Sequence, residues 1–503
     1  MKLLALALLA ISCLPAQKLT APADARQRVD KIFARYQRTD GPGCAVGATL
    51  DGASVLSAAY GMADLEHDVA LRADSIFEAG SVSKQFTAAA VLLLAQQGKL
   101  SIDDPVRKYI PELPDYGTPL TVRHMLNHTS GLRDWGSVEG IAGWPRTTRA
   151  YTHAHVLDIL SRQRALNYPP GAEYSYSNSG YNLAAILVQR VAGKPFAEFT
   201  REAIFMPLGM TSTSWRDDFR RIVKGRAIAY SETNGSIRQT MPFEDVHGNG
   251  GLLTTVGDLL KWNRNFSDPT VGGRALVEQQ LVQGKLTDGR TIAYAAGLMV
   301  LHFNGRNEVS HSGTTAAYNA WLGRYPDQGL SVAVLCNSSA ANGTQLGRAV
   351  AMTFLGTGAS LGPGDKIVAN PGMYRSLRDH STVNVTADSR NEFTGDRMRV
   401  PSEMDGGTWY ERVEPWTPTP AEIASLAGEY SSDEAEVTLR VAVDHGRLVI
   451  NRRPNTTIEL TPTYKDAFTS SLGVIRFQRN GAGKATGLSV SESRVWDLHF
   501  TAK

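Results

Sequence analysis

The chain has 503 residues, 42% of them hydrophobic, with 52 basic against 49 acidic side chains and three cysteines. So even a balance, with no long run of either sign, excludes nucleic acid as the main partner, and three cysteines are too few for a disulfide framework or a zinc site. The length accommodates two or three domains of ordinary globular composition.

At the start, Lys2, the apolar run 3–11 and Leu14-Pro15-Ala16 before Gln17 predict a bacterial-type secretion signal over 1–16, hence a secreted or periplasmic protein. The run is too short to span a membrane. Ala10-Ile11-Ser12-Cys13 is a degenerate lipoprotein-processing pattern, which makes a lipid anchor through Cys13 a second expectation. A helix is expected near 24–37. Residues 44–50, the turn Asp51-Gly52 and residues 54–60 read as a β-hairpin. From about 100 to 270 the pattern is mainly helical, broken by Pro and Gly loops. Residues 297–300 open a second strand group, with strands at 317–324 and 330–335 joined by the turn 326–329, and 345–356 return to helix. Strands, many helices, then strands describe an α+β unit: one antiparallel sheet built from both ends, with a helical insertion between. Cys44 and Cys336 each sit in an apolar, strand-like run, and both readings stay open: two buried thiols or one disulfide.

Leu361-Gly362-Pro363-Gly364-Asp365 is linker-like, and 359–418 read as a linker or a degraded β segment, in which Gly372-Met373-Tyr374-Arg375 echoes Gly428-Glu429-Tyr430-Ser431. From 419 to 503 the chain reads as a small β domain. Residues 437–443 and 447–451 flank Asp444-His445-Gly446, and further short strands are expected near 458, 468, 474, 488 and 495.

Three segments carry chemistry. Ser81 and Lys84 form the one S-x-x-K, where a polar turn runs into a helix that is apolar almost all round. Positions i and i+3 share a helical face, so the Lys84 amine reaches the Ser81 hydroxyl, which needs a proton acceptor to become a competent nucleophile. Burial favours the neutral amine, and the helix N-terminus favours negative charge developing at Ser81. Tyr176-Ser177-Asn178 is the one Y-x-N and His311-Ser312-Gly313 the one H-x-G. Alone, the first fits a loop whose Asn178 caps a helix, and the second a strand edge with a surface histidine.

Together and in this order, Ser81/Lys84, Tyr176/Asn178 and His311/Gly313 resemble the motif set of the serine β-lactamase and penicillin-binding superfamily. Within it the likeness is to the branch of class C β-lactamases, D-alanyl-D-alanine carboxypeptidases, D-aminopeptidases and related esterases. The flanks at 121–132, 205–210 and 250–255 agree, and the resemblance covers about 30–355. The tail from about 420 resembles the lipocalin-like β domain attached to many of these hydrolases.

The resemblance implies a β-lactamase/transpeptidase-like α+β fold over 24–358 (an antiparallel sheet flanked by helices, plus a helical subdomain), followed by a small all-β domain over 419–503. It implies Ser81 as the acylated nucleophile and Tyr176 as general base, its phenol pKa lowered by a cationic Lys84, or Lys84 as the base itself. Asn178, His311, Gly313 and Thr314 would contact substrate, with the backbone N–H groups of Ser81 and Thr314 as oxyanion hole. His311 would assist Tyr176 electrostatically or by a hydrogen bond, and residues 132–135 would stand at the mouth of the cleft. Neither a metal nor an organic cofactor is needed. Where class C β-lactamases start K-T-G with lysine, this chain has His311, mostly neutral at pH 7. The expected function is therefore an exported serine hydrolase cleaving an amide or ester through a Ser81 acyl-enzyme, on a D-amino-acid peptide or amide or a small ester. A true β-lactamase and a non-catalytic penicillin-binding or wall-binding protein are the alternatives. The partner is a small-molecule or peptide substrate, and the oligomeric state is not legible.

Overall fold

Cys44–Leu50 (β1) and Ala53–Tyr60 (β2) form the hairpin that Asp51-Gly52 dictates. Four strands from beyond the helical region join them: Met299–Phe303 (β3), Arg306–Thr315 (β4), Tyr318–Tyr325 (β5) and Leu330–Cys336 (β6). The resulting six-stranded antiparallel sheet runs β3-β4-β5-β6-β1-β2. The two ends of the domain meet where β1 pairs with β6, from Cys44↔Cys336 to Leu50↔Leu330. Cys44 and Cys336 are joined as a disulfide across that pair, their Cα atoms 4.0 Å apart. This computed structural model describes residues 19–356, 370–386, 391–394 and 396–503. The expected signal at 1–16, the Cys13 anchor and the linker pattern at 361–365 lie outside the described residues.

Period-two alternation explains the layers. Val46, Ala48, Val332 and Val334 face one side and bury against Val29 and Phe33, in and just after Ala25–Ile32 (α1), and against Val350 and Phe354 of Gly343–Leu355 (α6). Ala45, Ala333 and Leu335 face the other side, toward Lys84–Gln96 (α2) and Val256–Arg264 (α5). Helix α2 is buried from Lys84 through Leu94, as a helix apolar all round requires. The helical part inserted between the strands includes Trp135–Ala142 (α3) and Asn178–Ala192 (α4).

Where a linker or degraded β segment was expected, Gly372–Ser376, Thr382–Val385, Glu392–Thr394, Arg397–Val400 and Thr408–Val413 form a five-stranded antiparallel sheet. The last part is a closed eight-stranded barrel, from Gly428–Ser432 to Val495–Ala502. Alternate residues such as Leu439, Val441, Leu448, Ile450, Leu488 and Val490 are buried in its core.

The barrel docks on the helical part through arginines. Arg133 is buried and pairs with Glu434 at 2.6 Å, while its second terminal nitrogen donates to the carbonyl of Asp497 at 3.1 Å. At the other end of α3, Arg452 donates to the carbonyls of Gly140 and Ile141, and Arg453 to that of Ala142 at 2.8 Å. The carbonyls of Ile141 and Ala142 are among those a helix C-terminus leaves unpaired, so the barrel completes a cap that Gly143 begins by donating its N–H to the Gly140 carbonyl.

Candidate active site

Ser81 lies in the single 3-10 turn Gly80–Ser83 that runs into α2. In such a turn positions i and i+3 eclipse, and Lys84 Nζ stands 3.0 Å from Ser81 Oγ. The same nitrogen donates to Asn178 Oδ1 at 3.0 Å and to the carbonyl of Asn249 at 2.7 Å. Both oxygens can only accept. A neutral amine has two N–H bonds for them and a lone pair left for the Ser81 O–H. Lys84 is fully buried, and desolvation, reinforced by the charge of Arg494, holds its pKa well below the usual lysine value. Burial therefore favours the uncharged amine, the form in which Lys84 can accept the proton of the Ser81 hydroxyl.

Tyr176 differs from the expectation. Burial raises the phenol well above the ordinary tyrosine value; the hydrogen bond to Ser81 offsets this only in part. The ring lies 4.8 Å from Lys84 Nζ, and the raised pKa means that its hydroxyl keeps its proton. Asn178 is the first residue of α4, while the helix is capped by Ser177, whose side chain accepts from the N–H of Ser179.

His311 is not a surface histidine. It is 1% exposed, on β4. Its Nδ1–H donates to the carbonyl of Ser312 at 2.6 Å, so Nε2 is the acceptor, and it takes the hydroxyl of Tyr294 at 2.9 Å. Both ring nitrogens are occupied, and the expected hydrogen bond to Tyr176 is absent; the two rings are 6.3 Å apart. Burial, the largest cause, pushes the His311 pKa down to about 3, so the imidazole is neutral throughout the ordinary pH range.

Gly313 is there because nothing larger fits. A Cβ at this position would lie 2.0 Å from the carbonyl oxygen of Ala79 and 2.9 Å from the nitrogen of Ser81. A Cβ on Gly80, whose φ is +51°, would lie 2.6 Å from the nitrogen of Thr314. Two glycines thus let β4 press against the nucleophile turn, and bring the backbone nitrogens of Ser81 and Thr314 to one end of the cavity, where two donors can receive an oxyanion.

The cavity has a volume of about 430 Å³, and Ser81, Tyr176, Asn178, His311 and Thr314 line it. Residues 132–135 do not form its mouth. Leu132, Arg133, Asp134 and Trp135 are all buried: Trp135 donates to Asn182, and Asp134 caps α3 while its Oδ2 accepts the N–H of Asn178 at 2.7 Å. That side of the cleft is lined instead by Arg146 and, from the barrel, Arg494. Sequence reasoning missed Asn249, Tyr294, Arg146, Arg216 and Arg494. Asn249 neighbours the flagged 250–255 segment, so it could have been found. Nothing local marks the others.

A family model described as beta-lactamase matches residues 29–355 of the chain. Penicillin-binding protein 4* of Bacillus subtilis (strain 168) is 29% identical over 295 residues, covering 55% of this chain and 64% of its own length. A D-aminopeptidase of Gluconobacter oxydans (strain 621H) is 25% identical over 310 residues, covering 62% of this chain and 58% of its own. The chain thus spans less than two thirds of the length of these curated relatives. Among solved structures, the octameric penicillin-binding protein homologue from Pyrococcus abyssi superposes with a TM-score of 0.58 at 20% identity, over 95% of this chain and 99% of that one, a likeness of fold.

Proposed function

The chain belongs to the beta-lactamase family, and from that premise we propose that it is an exported serine hydrolase that opens an amide or ester through an acyl-enzyme on Ser81. The observation that carries this reading is the buried Lys84, its pKa lowered by desolvation, at 3.0 Å from Ser81 Oγ, with N–H bonds engaged by two carbonyl-type acceptors. As Oγ attacks the substrate carbonyl, its proton passes to the lone pair of Lys84. The carbonyl oxygen becomes an oxyanion facing the backbone N–H groups of Ser81 and Thr314, each worth about 3 kcal/mol by the measure of other serine hydrolases. The leaving amine or alkoxide takes its proton from the Tyr176 hydroxyl, which Lys84 reprotonates. Water then attacks the acyl-enzyme along the reverse path. Asn178 holds Lys84 and offers its remaining N–H bonds to the substrate.

The neutral, fully hydrogen-bonded His311 weighs against a true β-lactamase, since it offers no charge to the carboxylate that such substrates carry. A D-amino-acid peptide or amide, or a small ester, remains the class of choice, in keeping with the similarity to a D-aminopeptidase. The Cys44–Cys336 disulfide supports the exported reading, because such bonds persist outside the reducing cytosol.

The test is a panel of D-aminoacyl amides, D-Ala-D-Ala peptides, p-nitrophenyl esters and a chromogenic cephalosporin, run on wild type and Ser81→Ala. Fluorophosphonate labelling is mapped in parallel by mass spectrometry. Turnover and labelling at Ser81, both lost in Ser81→Ala, are expected. An unlabelled wild type with no turnover would favour the non-catalytic binding alternative, and rapid cephalosporin turnover would favour the β-lactamase.

A further inference from the structure

Tyr176 sits in a stretch, 173–177, that belongs to no helix or strand. Its place is therefore fixed by contacts from elsewhere, and most of them come from one residue. The carbonyl of His128 accepts the N–H of Ser175 at 3.0 Å, and His128 Nδ1 accepts the N–H of Ser177 at 3.3 Å. These bonds grip the chain immediately before and after the tyrosine. Between them the imidazole lies against the phenol ring, with centres 4.3 Å apart. On another side it lies 4.6 Å from the ring of Tyr294, the residue that donates to His311.

His128 holds this position against its own preferences. It follows the helix Val122–Leu126, whose end is closed by two bonds: the N–H of His128 to the carbonyl of Met125, and the N–H of Thr129 to the carbonyl of His124. Such an ending needs a left-handed residue, and His128 has φ +58° where glycine or asparagine is the usual choice. The side chain is costly as well. His128 is 1% exposed, and its Nε2 is buried with no hydrogen-bond partner among the described residues. A backbone N–H can only donate, so Nδ1 is bare and the ring proton stands on Nε2. An imidazolium could not accept from Ser177, and burial, the largest cause, holds the His128 pKa well below the ordinary histidine value. A strained backbone and an unpaired buried nitrogen thus fall on the residue that grips Tyr176.

We propose that His128 is the positioning residue of Tyr176: it fixes the phenol where the leaving group needs a proton, by holding the chain on both sides of the tyrosine and packing against its ring. Nδ1 serves only as an acceptor, and no proton passes through His128. The inference rests on the serine-hydrolase reading, in which Tyr176 protonates the leaving group, and deepens it.

The experiment compares D-alanine p-nitroanilide, an amide, with p-nitrophenyl acetate, an activated ester. The proteins are wild type, His128→Gly, His128→Asn, Tyr176→Phe and the double variant His128→Gly/Tyr176→Phe, each checked by thermal melting and by fluorophosphonate labelling. His128→Gly suits the left-handed backbone and removes the acceptor, whereas His128→Asn suits it and returns an acceptor, Oδ1, in place of Nδ1. His128→Gly is expected to lower kcat on the anilide by about tenfold or more, with a smaller loss on the ester, and His128→Asn to stay within about threefold of wild type. In the Tyr176→Phe background, His128→Gly should cost nothing further on the anilide, because His128 acts through the phenol. In folded, labelled variants, equal losses on both substrates, additive losses in the double variant, or His128→Asn no better than His128→Gly overturn the proposal and leave the hydrolase reading intact. Loss of the fold in both single His128 variants makes the residue a structural one and overturns it too, as does a labelled wild type that opens the ester alone. A wild type that is unlabelled and inactive on both substrates overturns the hydrolase reading, and the proposal with it.

Discussion

Lys84 and Asn178, 94 positions apart in the chain, meet at 3.0 Å with the amine donating to the amide oxygen. The contact joins the first motif to the second, and with the Asn249 carbonyl it orients the amine so that its lone pair is left for Ser81. The nucleophile thus faces a base whose pKa burial lowers, and the consequences are measurable.

Lys84→Met should abolish acylation, with kcat/KM down by about a thousandfold or more, yet should not destabilise the protein at neutral pH. The folded-state pKa of Lys84 is lowered, so between that value and its unfolded value the unfolded chain binds the extra proton. Stability then rises with pH through this window, and the penalty is fully present below the folded pKa. Melting temperatures measured from neutral to alkaline pH should climb in wild type more than in Lys84→Met. In the same way, the acid limb of the pH–rate profile should fall well below 10.5, the ordinary lysine value.

Tyr176→Phe should retain fluorophosphonate labelling but lower kcat on amides by about a hundredfold, since the phenol acts as a proton donor to the leaving group. A p-nitrophenolate leaving group needs no proton, so the loss on p-nitrophenyl esters should be smaller. Equal losses on amide and activated ester would contradict this role.

Gly313→Ala should be damaging despite adding one methyl group. The new Cβ would meet the Ala79 carbonyl oxygen at 2.0 Å, on backbone that cannot swing aside as a side chain does. A cost of about 1–3 kcal/mol is expected, seen as a lowered denaturation midpoint, together with weakened acylation from a displaced oxyanion hole.

Replacing both Cys44 and Cys336 by serine should cost about 2–4 kcal/mol, because the bond closes a loop of 292 positions between adjacent strands. Urea denaturation of the double variant, beside the wild type with and without reductant, measures it. Identical midpoints would mean that the thiols are unpaired in solution.

What could be read from the chain was whatever depends on neighbours in sequence. Asp51-Gly52 dictates a hairpin, alternation in 437–451 dictates another, and Ser81 with Lys84 is a contact across one turn. The joining of Ser81, Tyr176 and His311 was legible only through resemblance, because their proximity is made by tertiary packing. Charge states were misread for the same reason. The phenol of Tyr176 was expected to be lowered by an ammonium, but desolvation, which depends on everything packed around the two side chains, raises the phenol and lowers the Lys84 amine. Tyr294 and Arg494 carry no local signature: one is a tyrosine beside β3, the other an arginine in an ordinary turn of another domain. The five-stranded sheet at 372–413 was obscured by its short, polar strands.

Helix α3 is held at both ends by chain that topology assigns elsewhere. Its N-terminal Asp134 donates its N–H to the carbonyl of Arg494, and its last carbonyls receive Arg452 and Arg453. Truncation before the barrel would leave the carbonyls of Ile141 and Ala142 without their arginine donors, strand the buried Arg133 without Glu434, and release the N–H of Asp134, the residue on which Asn178 leans. Sequence periodicity draws a border near 419, but melting should not respect it. Hydrolase domain and barrel are therefore expected to unfold as one cooperative unit, because the contacts that fix the wall of the cleft are shared between them.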